Sequence, residues 1–185
     1  MPNVAPSRVS APIFPAAADQ ILIRKVAEPG GWLSNMSPHP IVFGGLKWWH
    51  AEALFQALRF AADDEEALKA VREPRSPMIA KMIAKRFKLR HVIAPLGEAD
   101  VENMRLCLRL KLDAHAEVRR RLIASGERLL VEDCSSRSRH VNNLFWGAVR
   151  VPDADAPLGY VWKGRNVLGE LWMERRAMLQ SLMSE

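Results

Sequence analysis

The sequence has few cysteines and no long apolar run, and these two absences exclude several classes of protein. Cys107 and Cys134 are the only cysteines in 185 residues, so neither a disulfide framework nor a cysteine-rich zinc site is expected. No apolar run approaches the roughly 20 residues that a membrane-spanning helix requires. The N-terminus lacks the basic start and apolar core of a secretory signal. We therefore expect a cytoplasmic protein without a membrane partner.

Motifs for metals and dinucleotide cofactors are also missing. The sequence contains no His-Glu-x-x-His pattern, no pair of cysteines at ligand spacing and no aspartate cluster. The Gly-x-Gly phosphate loop of dinucleotide-binding folds is absent as well. We therefore predict no bound metal and no cofactor, and dehydrogenase chemistry is not expected.

The composition is that of a globular protein with an excess of positive charge. Hydrophobic residues make up 49% and charged residues 26%, as in ordinary soluble domains. The net charge of +6 and the pI near 9.7 favour an acidic partner, either a nucleic acid or a phosphorylated small molecule. Basic runs lie at 85–91, 119–121 and 137–140. A solvated surface explains such runs equally well, and they do not determine the oligomeric state.

The pattern of apolar residues predicts a mainly α fold (α+β) with a small β component. Residues 1–20 are rich in Pro, Ala and Ser, so we expect a flexible N-terminal arm followed by a single domain over 21–185. Short strands are predicted near 21–26, 41–43 and 127–132. Helices are predicted over 50–62, from the acidic residues at 63–66 onward, from Ser76-Pro77 onward, over 100–112, over 115–125 and over 166–182. In the third helix, Met78, Ile79, Met82 and Ile83 are predicted to face the core.

Three polar residues of the first helix need an explanation. Glu52, Gln56 and Arg59 are spaced so that they project to one side of the helix, beside its apolar face. One interpretation is an exposed polar face with a weak Glu–Arg pair. The other is a functional site, which requires polar groups from elsewhere in the chain.

Three further segments read as loops that could supply those groups, at 33–40, 142–147 and 164–176. The last begins with Gly164, Arg165 and Asn166, just before the terminal helix. Backbone N–H groups at a helix start and a neighbouring guanidinium form a plausible phosphate contact. An ordinary Asn N-cap beside a surface Arg fits the same residues.

The order of seven motifs resembles that of the NADAR superfamily, also called YbiA-like proteins. The motifs are SNMSPHPI, WWHAEALFQA, SPMIAK, MRLCLRLKL, LLVE, NNLFWG and GRNVLGELWM, and the resemblance covers about residues 30–180. It implies a compact multihelical fold that binds NAD-, ADP-ribose- or ribosyl-nucleobase-like ligands. Characterised members are N-glycosidases. Some cleave phosphoribosylaminopyrimidine intermediates of riboflavin synthesis, and others remove ADP-ribose from guanine bases.

The resemblance also assigns residues. Glu52 matches the family's glutamate, and Asn143 stands where the family has an Asp. The family's His-Tyr pair is Ala53-Leu54 here, and the segment PDADAPLGYVWK (152–163) is a long insert before Gly164. An Asn cannot titrate, so it replaces the Asp only where the role is hydrogen bonding.

The predicted function is hydrolysis of an N-glycosidic bond in a ribosylated base or nucleotide. Glu52 would stabilise positive charge at the anomeric carbon or activate water, and Asn143 is the second predicted catalytic residue. A nucleophilic Lys81 is an alternative, and a ligand-binding module without turnover is the rival function. The predicted partner is a phosphorylated ribosyl small molecule or an ADP-ribosylated nucleic acid. The predicted substrate-binding residues are Ser34, Asn35, Trp48, Gln56, Trp146, Gly147, Arg165 and Asn166.

Overall fold

The computed structural model describes residues 11–136 and 141–183, and these ranges contain seven α-helices and seven short strands. The helices are α1 (Ala51–Ala57), α2 (Glu65–Arg72), α3 (Pro77–Arg86), α4 (Glu98–Ala114), α5 (Ala116–Ala124), α6 (Val141–Trp146) and α7 (Val167–Ser181). The strands are β1 (Ile13–Pro15), β2 (Ile21–Ile23), β3 (Ile41–Phe43), β4 (Leu46–Trp48), β5 (Leu130–Glu132), β6 (Val149–Pro152) and β7 (Tyr160–Lys163). The mainly helical α+β prediction is confirmed.

The strands form three small sheets. Strands β1, β7 and β6 lie in that order in one antiparallel sheet, β2 pairs with β5 in parallel, and β3 and β4 form a hairpin. The insert at 152–163 is therefore mostly the β6–β7 hairpin and its turn.

The predicted flexible arm needs a correction, because its C-terminal part belongs to a sheet. Ile13 lies opposite Lys163, and Phe14 lies opposite Trp162. Phe14 also packs against the small apolar cluster around Trp162, so burial of apolar area holds this segment in place. Residues 1–10 of the predicted arm lie outside the described residues.

Several helices begin where the sequence predicts. Asp64 accepts a hydrogen bond from the Ala67 backbone N–H (3.1 Å) at the start of α2. The Ser76 hydroxyl accepts one from the Ile79 N–H (3.4 Å), with Pro77 as the first residue of α3. These side chains satisfy backbone donors that have no partner inside the helix.

The predicted core face of α3 is wrong. Three of the four residues predicted to face inward are about half exposed, namely Met78, Ile79 and Met82, and only Ile83 packs against the core. Ala80 and Ala84 are fully buried instead. Their small side chains let α3 approach α1 and α2, which it contacts along its length. The exposed face of α3 consequently includes Lys81 and Lys85.

Helix α1 is shorter than predicted and completely buried. It ends at Ala57 rather than near residue 62, and all seven of its residues are buried, including Glu52 and Gln56. It packs against α2, α3 and α4. The segment 142–147, predicted as a loop, is helical in α6 up to Trp146. The polar face of α1 therefore lies inside the protein.

Candidate functional site

The polar residues of α1 lie at a cavity of about 110 Å³ that is formed by segments distant in sequence. The loop after the first 3₁₀ turn (Gly31–Leu33), helices α1, α3, α4 and α6, and the ends of β5 and α7 all contribute. The lining residues are Ser34, Asn35, Met36, Glu52, Phe55, Gln56, Arg59, Lys81, Met104, Glu132, Asn142, Asn143, Trp146 and Leu168.

Glu52 is the buried carboxylate of this cavity, with 5% of its surface exposed. Its Oε1 accepts a hydrogen bond from Gln56 Nε2 (2.9 Å) and lies 3.5 Å from Lys81 Nζ. Burying a carboxylate is unfavourable unless it is paired and hydrogen-bonded. The Lys81 charge and the Gln56 amide together offset that cost and hold the carboxylate at the cavity wall.

A chain of hydrogen bonds extends from Glu52 into the core. Gln56 Oε1 accepts from Arg59 Nη1 (2.9 Å), so the Gln56 NH₂ group must face Glu52. Arg59 donates through Nε and Nη2 to both oxygens of Asp100, at 2.7 and 2.8 Å. Asp100 is fully buried and also accepts from the Leu96 N–H (2.8 Å). The exposed-face interpretation of the Glu52 stripe is therefore wrong.

Asn35 lines the cavity and carries an unpaired acceptor. Its side chain is 7% exposed, and Nδ2 lies 3.0 Å from Met104 Sδ. Its Oδ1 is buried and has no hydrogen-bond partner among the described residues. Leaving a buried acceptor unpaired costs about 1–3 kcal/mol. A hydroxyl or amino group of a ligand would remove that cost.

One wall of the cavity is aromatic and another carries two amides. The Trp146 ring meets Phe55 edge to face, with ring centres 5.4 Å apart. Asn142 and Asn143 line the cavity from the same helix, α6. An apolar wall beside groups that both donate and accept hydrogen bonds suits a planar base or a sugar.

The cavity adjoins a wider cleft of about 830 Å³. The two spaces share Gln56, Arg59, Lys81, Asn142 and Asn143. Beyond them the cleft is lined by Lys85 and Lys88, which are exposed, and by apolar residues such as Leu89, which is 92% exposed. Fixed positive charges along an open cleft attract anions. The basic run at 137–140 lies outside the described residues.

Six of the ten predicted site residues come together here. They are Ser34, Asn35, Glu52, Gln56, Asn143 and Trp146. Trp48, Gly147, Arg165 and Asn166 do not line the cavity.

The first three of those four residues have other surroundings. Trp48 is a core residue whose indole N–H donates to the Phe43 carbonyl (3.4 Å). A Cβ on Gly147 would lie 2.3 Å from the Glu132 carbonyl oxygen, so this position needs glycine for close packing. Arg165 is exposed, and its guanidinium stacks 4.6 Å from the centre of the Phe145 ring.

Asn166 joins the start of α7 to β5 and makes no side-chain cap there. Its Oδ1 accepts from the Glu132 N–H (2.9 Å), and its Nδ2 donates to the Leu130 carbonyl (2.8 Å). The residue has a positive φ of 52°, which Asn tolerates better than most residues. Both polar atoms are thus used inside the fold, and neither predicted role of the side chain, phosphate contact or N-cap, matches this geometry.

Sequence reasoning missed the partners that Glu52 and Arg59 find in other helices. The sequence predicts Lys81 only as a possible nucleophile, and it predicts that its neighbours Met78 and Met82 face the core. Asp100 lies in the first turn of α4, where an acidic residue is explained by the helix dipole alone. No local signal identifies it as the partner of Arg59.

The histidine that precedes α1 has a structural role. His50 Nδ1 accepts a hydrogen bond from the Ala53 N–H (3.1 Å) and so caps the helix. Burial lowers the pKa of His50, which favours the neutral ring that this cap requires. The cap fixes the first turn of α1, which carries Glu52.

In the described part of the chain, no helix combines the length and apolarity needed to cross a membrane. Over the same residues, no group of three or more His, Cys, Asp or Glu side chains could hold a metal ion.

Comparisons with known proteins agree with the geometry. The profile of the NADAR domain matches residues 22–180. The chain is 33% identical over 149 residues to N-glycosidase YbiA of Escherichia coli, a match that covers 80% of this chain and 81% of that protein. It is 28% identical over 165 residues to N-glycosidase Npun_R5314 of Nostoc punctiforme, covering 89% and 95%. The NMR structure of E. coli YbiA superposes with a TM-score of 0.67 at 29% identity, covering 96% of this chain and 93% of that structure.

Proposed function

Because the chain belongs to the NADAR domain family, we propose that it is an N-glycosidase that hydrolyses the bond between a ribose and a base. The observation that carries this proposal is the buried Glu52 carboxylate, held by Gln56 and Lys81 at the wall of a cavity. The names of the relatives from E. coli and N. punctiforme support it.

The chemistry asks for a negative charge beside the anomeric carbon. As the C–N bond breaks, its electron pair leaves with the base, and the sugar develops oxocarbenium-like charge. A carboxylate about 3 Å away stabilises that charge and accepts a proton from the attacking water. The products are the free base and the free sugar. We assign this role to Glu52, because its position is fixed by contacts on both sides.

The remaining polar residues would bind the ribose and the base. Asn35 Oδ1, buried and without a hydrogen-bond partner among the described residues, would accept from a sugar hydroxyl or a base amino group. Asn143 would hydrogen-bond the base or sugar, and Trp146 and Phe55 would pack against a planar ring. The departing base also needs a proton. Asn143 cannot supply it, and Lys81 is the cation that already lies at Glu52.

The cleft beyond the cavity favours a substrate with phosphates outside the ribose that is cleaved. Lys85 and Lys88 line this cleft and do not line the cavity that holds Glu52. An ADP-ribosylated guanine, free or within nucleic acid, carries phosphates that could follow them. We therefore propose this class ahead of the riboflavin-type metabolite.

A hydrolysis assay on three substrates tests the proposal. The panel is ADP-ribosylated guanosine, the same modification in single-stranded DNA, and a ribosylaminopyrimidine phosphate, with free base and free sugar as the readout. Wild type is compared with Glu52→Gln, which keeps the shape but removes the charge. The control is Glu73→Gln, at an exposed carboxylate on the far end of α2.

Base release by wild type and Glu73→Gln that falls at least about a thousandfold in Glu52→Gln would support the proposal. Equal release by Glu52→Gln and wild type would remove Glu52 from the mechanism. Tight binding of the ADP-ribosylated substrates without release by wild type would instead establish the binding module, which Asn143 in place of an Asp favours.

A further inference from the structure

Lys111 is a buried cation that lies behind the cavity and not in its lining. It belongs to α4 and has no exposed surface. Its Nζ donates to the Trp32 carbonyl (2.6 Å), the Ser34 carbonyl (2.9 Å) and the Ser37 hydroxyl (2.7 Å). Three acceptors match the three N–H bonds of an ammonium group. The lysine is therefore fully hydrogen-bonded inside the core.

The three oxygens that surround Lys111 carry no charge. Burying an ammonium group without an opposite charge costs several kcal/mol, and burial lowers the pKa of Lys111 to about 7. An apolar residue such as Met would fill the same space without that cost. Unlike Met, the ammonium group fixes the geometry of the segment to which it donates.

That segment, 32–37, carries part of the cavity wall. Asn35 lies between Ser34 and Ser37, both of which bond to Lys111. The Asn35 carbonyl accepts the Glu52 backbone N–H (3.0 Å), while its side chain lines the cavity. The same short segment thus touches Lys111 on one side and the start of α1 on the other.

We propose that Lys111 is the positioning residue of the site: it holds 32–37 and thereby places Asn35 against both the cavity and the first turn of α1. Its effect on turnover rests on the proposed function, but its effect on the position of Asn35 does not. Lys111 touches no substrate in this arrangement and acts through the segment it holds.

The charged form suits this role better than the neutral form. A neutral amine has two N–H bonds, so one of the three acceptors would lose its donor. The titratable groups facing Lys111 are His39, which bonds to Ser37 Oγ (2.8 Å), and His115, whose ring meets that of His39. Burial, with the nearby charge of Lys111, lowers the pKa of His39 to about 4, so His39 stays neutral while Lys111 titrates.

Two further elements place groups near Lys111, and neither of these groups is an acid. Helix α5 contributes Arg121, whose guanidinium lies over the Trp32 ring at 4.6 Å. Helix α7 contributes the Trp172 ring, 5.5 Å from Lys111 Nζ. With none of the groups named here offering a negative charge, the segment should loosen as the pH rises through about 7.

Two variants and one matched control test the proposal. Lys111→Met removes all three donors. Ser37→Ala removes one of their acceptors, together with the hydrogen bonds of that hydroxyl to the Ser34 carbonyl (2.7 Å) and to His39 (2.8 Å). The control is Arg176→Met, because Arg176 is also a buried cation bonded to neutral oxygens, Ser125 Oγ (2.9 Å) and the Arg128 carbonyl (2.8 Å). We expect this variant to destabilise the fold, and the two hydrogen bonds that it removes do not involve 32–37.

The first readout is hydrogen exchange of the Glu52 amide, which requires no substrate. We expect exchange to rise about tenfold or more in Lys111→Met and Ser37→Ala relative to Arg176→Met. The second is kcat/KM per folded molecule, expected to fall about tenfold, mainly through KM, in the same two variants. The kcat/KM of wild type should also fall as the pH rises above 7, and Lys111→Met should not show this fall.

The proposal would be overturned if the Glu52 amide exchanged as slowly in Ser37→Ala as in wild type. A KM equal to that of wild type in either variant would also overturn it. If Lys111→Met does not fold, Ser37→Ala decides alone. A rise in Glu52 exchange together with no turnover by wild type on any substrate would support the positioning role and reject the proposed function.

Discussion

Arg59 and Lys111 are both buried cations beside the candidate site, but their surroundings differ. Arg59 makes two hydrogen bonds to the Asp100 carboxylate, whereas Lys111 is surrounded by neutral oxygens. The first arrangement cancels a charge and fixes Gln56. The second leaves a charge uncompensated and therefore responds to pH near neutrality. One site is thus supported by a cation whose charge is compensated and by a second cation whose charge is not.

The largest effect is expected when the paired cation loses its partner. Asp100→Leu leaves the Arg59 guanidinium buried and uncompensated, which should reduce the free energy of unfolding by about 3–5 kcal/mol. Urea denaturation at pH 7 measures this, with Asp113→Asn, at an exposed position on the same helix, as the control. Adding Arg59→Met to Asp100→Leu should restore part of the loss. A loss no greater than that of Asp113→Asn would mean that the pair does not matter.

The unpaired cation should respond to pH in a defined direction. The pKa of Lys111 is about 7 in the folded protein and about 10.4 in an unfolded chain. Between these values the unfolded chain binds more protons, so this group makes stability rise with pH. The difference in unfolding free energy between wild type and Lys111→Met should therefore grow in favour of wild type from pH 7 to 10.

Urea midpoints of both proteins at several pH values test this. A difference that stays constant across this range would show that Lys111 keeps an ordinary pKa. Together with the exchange experiment, this prediction separates two effects of the same proton: its loss stabilises the fold and loosens the segment 32–37.

A third change tests the link between the paired cation and the carboxylate. Gln56→Leu breaks the bridge from Arg59 to Glu52 and should lower kcat by about tenfold, because Glu52 loses its orienting hydrogen bond. Gln20→Leu is the control, since Gln20 hydrogen-bonds to Tyr160 and Trp162 of β7, which do not line the cavity. Equal kcat in both variants would show that Lys81 alone holds Glu52.

The smallest effect is expected from cations that are exposed. Lys85→Gln with Lys88→Gln should lower the salt dependence of nucleic acid binding by a slope of about 1–2, with little change in stability. Lys25→Gln with Lys69→Gln, at exposed positions outside the cleft, should leave the slope unchanged. The same reduction in both pairs would indicate nonspecific binding.

The sequence predicts the helices better than the faces they bury. The Ser76-Pro77 start and the Asp64 cap follow from local chemistry, and both are present. The buried face of α3 was missed because hydrophobicity ranks Met78 and Met82 above Ala80 and Ala84. Close packing between helices selects the small residues there. The two asparagines of 142–147 suggested a loop because Asn is a common turn residue, yet the segment is helical.

The candidate site also contains residues that the sequence places correctly and residues that it does not identify. Glu52 and Gln56 could be placed on one face of a helix from their spacing, and the family motifs brought Asn35, Asn143 and Trp146 to the same site. Asp100 and Lys111 could not be recognised, because each acts through a residue far away in the sequence. A pairing of that kind is visible only once the helices are packed.

The pairing of β1 with β7 has a consequence for how the chain is made. Ile13–Pro15 is among the first described segments to leave the ribosome, but its partner, Tyr160–Lys163, is among the last. Until then β1 has no strand to join, and the Pro12 carbonyl lacks the Gly164 N–H that donates to it (2.9 Å). Contacts so distant in sequence form late and slowly. Docking of the N-terminal strand should therefore complete the fold only after synthesis of the β6–β7 hairpin. A chain that begins at residue 21 lacks β1 and would never complete this sheet.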